Sequence, residues 1–171
     1  MESSVMNYFK KLATVLFKEK EILELVLKVE NEKYDILRFV DVKGLMDLNS
    51  QEEGFLELLS SIEKRRKDII IAMCKEKGIN PDLSLKEIME YFNSEINEEI
   101  KNEITDLRES IKSISEKLRA VVRENEQLIK SNMEIISLTL NFANKHSSYE
   151  TYNFRNKGEA ASRVHLINSL A

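Results

Sequence analysis

The sequence predicts an all-α protein: an elongated antiparallel helical bundle or coiled coil of three long helices plus one short helix, with a mobile C-terminal tail. Three observations carry that reading. The 171 residues hold only 4 Gly and 1 Pro, too few breakers for a turn-rich β protein. Apolar residues recur at alternating spacings of three and four over long stretches, the heptad pattern of helices packed on helices. Breaker and capping signals are few and cluster near "DVKG" and "KGINPDLSLKE", which leaves long uninterrupted runs between them.

The first helix is expected from about Ser4 to Val40, with apolar residues at Val5, Phe9, Leu12, Leu16, Leu23, Val26, Ile36 and Val40, near the helical period. Its stretch "ILELVLKV" is apolar nearly all round, as in a helix with neighbours on two sides. Gly44 is the breaker expected to end it. The second helix is expected from about Leu45 to Lys77, with the seam Leu45, Leu48, Glu52, Phe55, Leu59, Ile62, Arg66, Ile69, Met73. Gly78 suits the position after a helix end, and Pro81 cannot extend one. "SLKE" at Ser84 reads as a capping box opening a short helix that ends near Phe92. The last helix, from about Glu95 to Lys145, is the longest, roughly 75 Å at ~1.5 Å per residue. Its seam runs Ile100, Ile104, Leu107, Ile111, Ile114, Leu118, Val121, Asn125, Leu128, Asn132, Ile135, Thr139, Phe142. Residues 147–171 lose the periodicity and are expected to be a flexible tail, with a short helix allowed around Ala160 to Leu170.

The last helix changes character after Val122. A second seam opens one residue along, at Ile129, Met133, Ile136, Leu140 and Ala143, while the first acquires Asn125, Asn132 and Thr139. A polar residue in a seam costs stability but can fix register and partner number. Two readings stand. The stretch lies between two helices at the centre of the 1–146 bundle, or it reaches beyond its neighbours. Helix lengths favour the second. The first two helices have roughly 33 to 37 residues and the last about 50, so about 15 residues would overhang by roughly 20 Å. The overhang would occupy about 125–146. Burying Ile129, Met133, Ile136 and Leu140 would yield about 6–12 kcal/mol together, against an association cost of about 4–15 kcal/mol. The second seam alone therefore supports weak, reversible binding. Tighter binding needs the first seam or the tail.

Composition limits the function. Charged residues make up 33 % and the net charge is -4, with no block of one sign that would mark a nucleic-acid arm. Lys64-Arg65-Arg66-Lys67 lies among acids in a helical stretch and reads as a solvated face. No apolar run is long enough for a bilayer, and the N-terminus lacks signal-peptide order, so a cytoplasmic protein is expected. Cys74 cannot pair within the chain and reads as a core thiol. His146 and His165, the two histidines, form no metal-ligand spacing. No phosphate-binding glycine loop or nucleophile triad occurs, so no enzyme activity, metal or cofactor is expected.

The segments "FLELLSSIEKRRKDII", "KGINPDLSLKEIMEYF" and "ENEQLIKSNMEIISLTLNFAN", with the tail "YETYNFRNKG", resemble the FlgN-type flagellar export chaperones over nearly the whole chain. The resemblance implies a chaperone without cofactor that binds the hook–filament junction proteins FlgK and FlgL. It would prevent their premature assembly and deliver them to the flagellar type III export gate and ATPase components. Carried onto this chain, the client surface is Leu128, Ile129, Met133, Ile136, Leu140 and Phe142, with the tail. Tyr149 and Tyr152 are the candidates for docking on the export gate. Weak self-association through the exposed stripe stays open. So do a structural coiled-coil scaffold and a type III secretion chaperone for another client.

Overall fold

The computed structural model describes the backbone of residues 4–155 and the side chains of residues 4–144. Four helices follow one another, α1 (Ser4–Phe39), α2 (Val42–Lys77), α3 (Leu85–Tyr91) and α4 (Glu98–Arg155). No strand occurs among the described residues. The chain divides into two compact units, Met1–Leu128 and Ile129–Ala171. The all-α reading holds. The elements differ from expectation chiefly at their ends.

The α1–α2 turn is two residues long, and Gly44 is not its breaker. Val40 turns the chain, at φ 56, in the left-handed region that a β-branched residue rarely occupies. The turn is a Schellman motif: the amide of Asp41 donates to Ile36 O (3.3 Å) and that of Val40 to Leu37 O (3.4 Å), which satisfies carbonyls at the end of α1. Asp41 then caps α2, its side chain accepting from the Gly44 amide at 3.0 Å. Gly44 lies inside α2, where a Cβ would come within 2.7 Å of Asp41 Oδ2. Its role is to admit the cap. Val40, expected in the first helix's apolar stripe, is 49 % exposed, and Leu37 is buried near that end of α1.

The second end repeats the motif with the expected residue. Gly78 has φ 68, and Ile79 N–H donates to Cys74 O at 2.9 Å. The capping box forms as read: Ser84 Oγ accepts from Glu87 N at 3.3 Å and Glu87 Oε2 from Ser84 N at 2.7 Å. The last helix begins at Glu98 rather than Glu95 because Asn97 Oδ1 accepts from the Ile100 amide at 3.0 Å, an N-cap contact. It continues to Arg155, past the expected end near Lys145. No Gly or Pro interrupts the chain between the start of this helix and Gly158. Residues 156–171, including most of the expected tail and its short helix, lie outside the described residues.

In the first unit, every member of the α2 seam is buried or half-buried. Phe9, Leu12 and Leu16 of α1 meet Met73 and Cys74 of α2, Ile88 and Phe92 at α3, and Ile104 of α4. Phe9 and Phe92 pack edge to face, centroids 5.8 Å apart, a favoured aromatic geometry. Cys74 is fully buried, as read, and burial raises its thiol pKa.

Charged side chains complete the seams. Arg66 of α2 donates to Glu19 of α1 at 3.0 Å. Lys33 of α1 donates to Glu30 (2.9 Å) and to Glu52 of α2. The side chain of Asn125 on α4 reaches Glu30, with Nδ2 2.7 Å from Oε2 and 2.9 Å from its carbonyl oxygen. These contacts make α2 antiparallel and α4 parallel to α1. Burial pushes Glu30 up, but its hydrogen bonds from Lys33 and Asn125 outweigh that and hold its pKa below the ordinary value. Burial also opposes charge on Lys33, yet its two carboxylate partners hold its pKa above the ordinary value. Glu52, raised first by burial, stays high despite Lys33. Glu19 is raised by burial more than Arg66 lowers it, and its Oε2 finds no partner among the described residues.

Two outcomes test this description. Val40→Gly should stabilise the protein by about 0.5–1 kcal/mol, because Gly adopts left-handed φ without a Cβ clash. Urea unfolding should show a higher midpoint at unchanged slope. Because the Glu19 pKa is raised on folding, its contribution is fully present below the unfolded value of 4.5 and is lost as pH rises through the folded one;. Glu19→Gln should therefore gain stability relative to the parent as pH rises above about 4.5. The opposite trend would show that attraction to Arg66 outweighs burial.

Candidate partner-binding surface

Along α4, Ile100, Ile104, Leu107 and Ile114 are buried, Leu118, Val121 and Leu128 are half-buried, and Asn125 is buried. The second unit begins at Ile129. Within it the apolar side chains of α4 among the described residues are exposed: Ile129 39 %, Met133 66 %, Ile135 61 %, Ile136 48 %, Leu138 69 %, Leu140 58 % and Phe142 67 %. Of the residues the sequence singled out, Leu128 closes the first unit, half-buried. Ile129, Met133, Ile136, Leu140 and Phe142 belong to the exposed set.

At about 100° per residue, these side chains form one broad surface rather than two separate stripes. Ile129, Met133, Ile136 and Leu140 fall within roughly 60° of arc, and Ile135, Phe142 and Leu138 extend the surface to about 220°. An ordinary surface helix needs little more than ~100° of apolar arc for a core. Lys130, Glu134, Ser137, Asn141 and Asn144 form the opposite column, at spacings of four, three, four and three. Leu138 belongs to neither seam, so heptad reading missed it. Its place beside Ile135 and Phe142 on a helical projection is the signal that finds it.

The polar members of the first seam differ among themselves. Asn125 is structural, bonded to Glu30 within the first unit. Thr139 Oγ1 donates to Ile135 O at 2.8 Å, so its hydroxyl is satisfied along the helix and its methyl can join the apolar arc. Asn132 is half-buried. Between Ile135 and Asn144 no residue is charged. Any binding to such a surface would come from burying apolar area, with little help from ion pairs.

Tyr149 and Tyr152 lie on the helical backbone of α4, but their side chains, like that of His146, fall outside the described residues, as does all of His165. Among the described residues no cluster of His, Cys, Asp or Glu could hold a metal ion. No described helix is long and apolar enough to cross a membrane.

The model of the family described as FlgN protein matches residues 1–160 of the chain. No curated protein and no solved structure matches it.

If the exposed arc carries no fold stability, replacing one of its residues should leave the protein intact. Ile136→Asp should change unfolding free energy by no more than about 0.5 kcal/mol, as for other surface sites. Ile104→Ala, in the core, should cost about 2–5 kcal/mol. Parallel urea titrations of the two variants separate the cases, and a large loss in Ile136→Asp would place that side chain in a core.

Proposed function

We propose, from the premise that this chain belongs to the FlgN family of flagellar export chaperones, that its clients are hook–filament junction proteins of the FlgK and FlgL type. The chaperone would hold them in the cytoplasm, prevent premature assembly and bring them to the flagellar type III export apparatus. The observation that carries this reading is the exposed arc from Ile129 to Phe142. A contiguous apolar surface of this extent marks an interaction site. A client helix would lie along it in helix-in-groove fashion, with Met133 adapting to different client side chains.

The wider arc changes the affinity argument. The four second-seam residues give only about 6–12 kcal/mol, comparable with the association cost of about 4–15 kcal/mol. Ile135, Leu138 and Phe142 add apolar area to the same surface, enough for useful yet reversible binding. Tyr149 and Tyr152 remain the candidates for docking on the export gate. Burial of Ile100, Ile104, Leu107 and Ile114 within one chain favours a chaperone over a scaffold, which would use those residues to oligomerise.

Calorimetric titration of the protein with FlgK and FlgL from the same organism tests the proposal, beside an Ile129→Asp/Ile136→Asp variant of checked helicity. The parent should bind, the variant should lose at least about tenfold in affinity, and binding should vary little with salt because the arc is nearly uncharged. Absence of binding by the parent would reject these clients. Full binding by the folded variant would move the site off the arc.

A further inference from the structure

The first unit carries a second surface of opposite chemistry. On the outer side of the α1–α2 pair a groove has Val15, Leu58 and Ile62 as its floor and Lys11, Lys18 and Arg65 on its walls. Val15 is buried, Ile62 half-buried and Leu58 52 % exposed. No carboxylate lines the groove. Several other cations of the first unit are paired: Lys33 with Glu30 and Glu52, Arg66 with Glu19, Lys77 with Glu95. Lys18 and Arg65 have no ion-pair partner among the described residues, and Lys11 lies 5.8 Å from the centre of the Tyr8 ring. Three cations with no acid between them therefore stand around an apolar floor, on a chain whose net charge is -4.

We infer that this groove docks an acidic amphipathic helix of a partner protein. Shape and charge both lead there. Lys11, Val15 and Lys18 follow one face of α1, and Leu58, Ile62 and Arg65 one face of α2, each at spacings of four and three. Two antiparallel helices with such faces leave a groove into which the ridge of a third helix fits. Apolar residues of that helix cover Val15, Leu58 and Ile62, while Asp or Glu on its flanks meets Lys11, Lys18 and Arg65. The negative charge on the rest of the chain discourages an acidic partner elsewhere and so directs it to the groove. This site is separate in residues and chemistry from the uncharged arc of 129–142, and does not depend on the client assignment.

The probe is a fluorescent synthetic helix of about 21 residues, three heptads, with Leu along its seam and Glu on both flanks. A control has every Glu replaced by Gln. Anisotropy titration of the full chain should give about tenfold tighter binding of the Glu helix than of the Gln helix, and that difference should fall between about 50 and 300 mM salt. Lys11→Glu/Lys18→Glu/Arg65→Glu should abolish the difference. Leu58→Asp, at an exposed position, should weaken both helices, and Ile129→Asp/Ile136→Asp should leave the Glu-against-Gln difference unchanged. Equal binding of the two helices, no binding of the Glu helix, or loss of the Glu-against-Gln difference in the 129/136 variant would overturn the proposal. So would equally tight binding of oligo-dT through the same cations, which would indicate a general polyanion site. Self-association of the parent that the charge variant removes would assign the groove to a second copy instead.

Discussion

The first unit depends on buried charge at matched heptad positions. Glu19 meets Arg66, and Lys33 meets Glu30 and Glu52, while Asn125 joins the second group from α4. The two α1–α2 pairs are separated by the same interval on both helices, 19 to 33 and 52 to 66, which is two heptads. Apolar seams alone tolerate a slip of one heptad, since Leu, Ile and Phe substitute for one another along α2. A slip would set Lys33 opposite Leu45 or Leu59, and Glu19 opposite Leu59 or Met73. Glu19 would then be a buried charge without its partner, at a cost of about 3–5 kcal/mol, and Lys33 would keep only Glu30 of its own helix. Buried ion pairs add little net stability over apolar packing, so their contribution here is to select one register.

Asn125 extends that logic to the third long helix. Its side chain bonds both the carboxylate and the backbone carbonyl of Glu30, and a Leu or Ile there would pack without reporting its level along α1. α3 fixes the other end by a different means. Ser84 and Glu87 start it, and Ile88 and Phe92 carry it into the core formed with Phe9, Met73, Cys74 and Ile104. The bundle is thus held by apolar packing at one end and by a hydrogen-bonded polar network toward the other.

The two proposed interaction surfaces divide the same physics in opposite ways. The arc of 129–142 is broad, apolar and nearly without charge, suited to clients recognised by buried area. The α1–α2 groove has an apolar floor and cationic walls, suited to a partner recognised by charge pattern. Surfaces that differ this much in salt dependence can serve two partners independently.

Much of this was written in the sequence. The scarcity of Gly and Pro, the seams of α2 and α4, the Gly78 stop and the Ser84 capping box follow from local sterics and hydrogen bonding, so they could be read residue by residue. The likeness to FlgN chaperones was legible in the texture of 124–144. Other features required the fold. Glu19, Glu30 and Lys33 continue the α1 heptad from Val5 to Leu37, but a charged residue at a seam position looks like a gap until its partner on another helix is known. Val40, not Gly44, ends α1, because Asp41 serves both helices and needs a neighbour without Cβ. The change from burial to exposure after Leu128 is announced by the second seam at Ile129, but the first seam keeps the same spacing on both sides and does not show it. A heptad encodes a surface fit to be covered, and only tertiary packing decides whether the chain covers it itself.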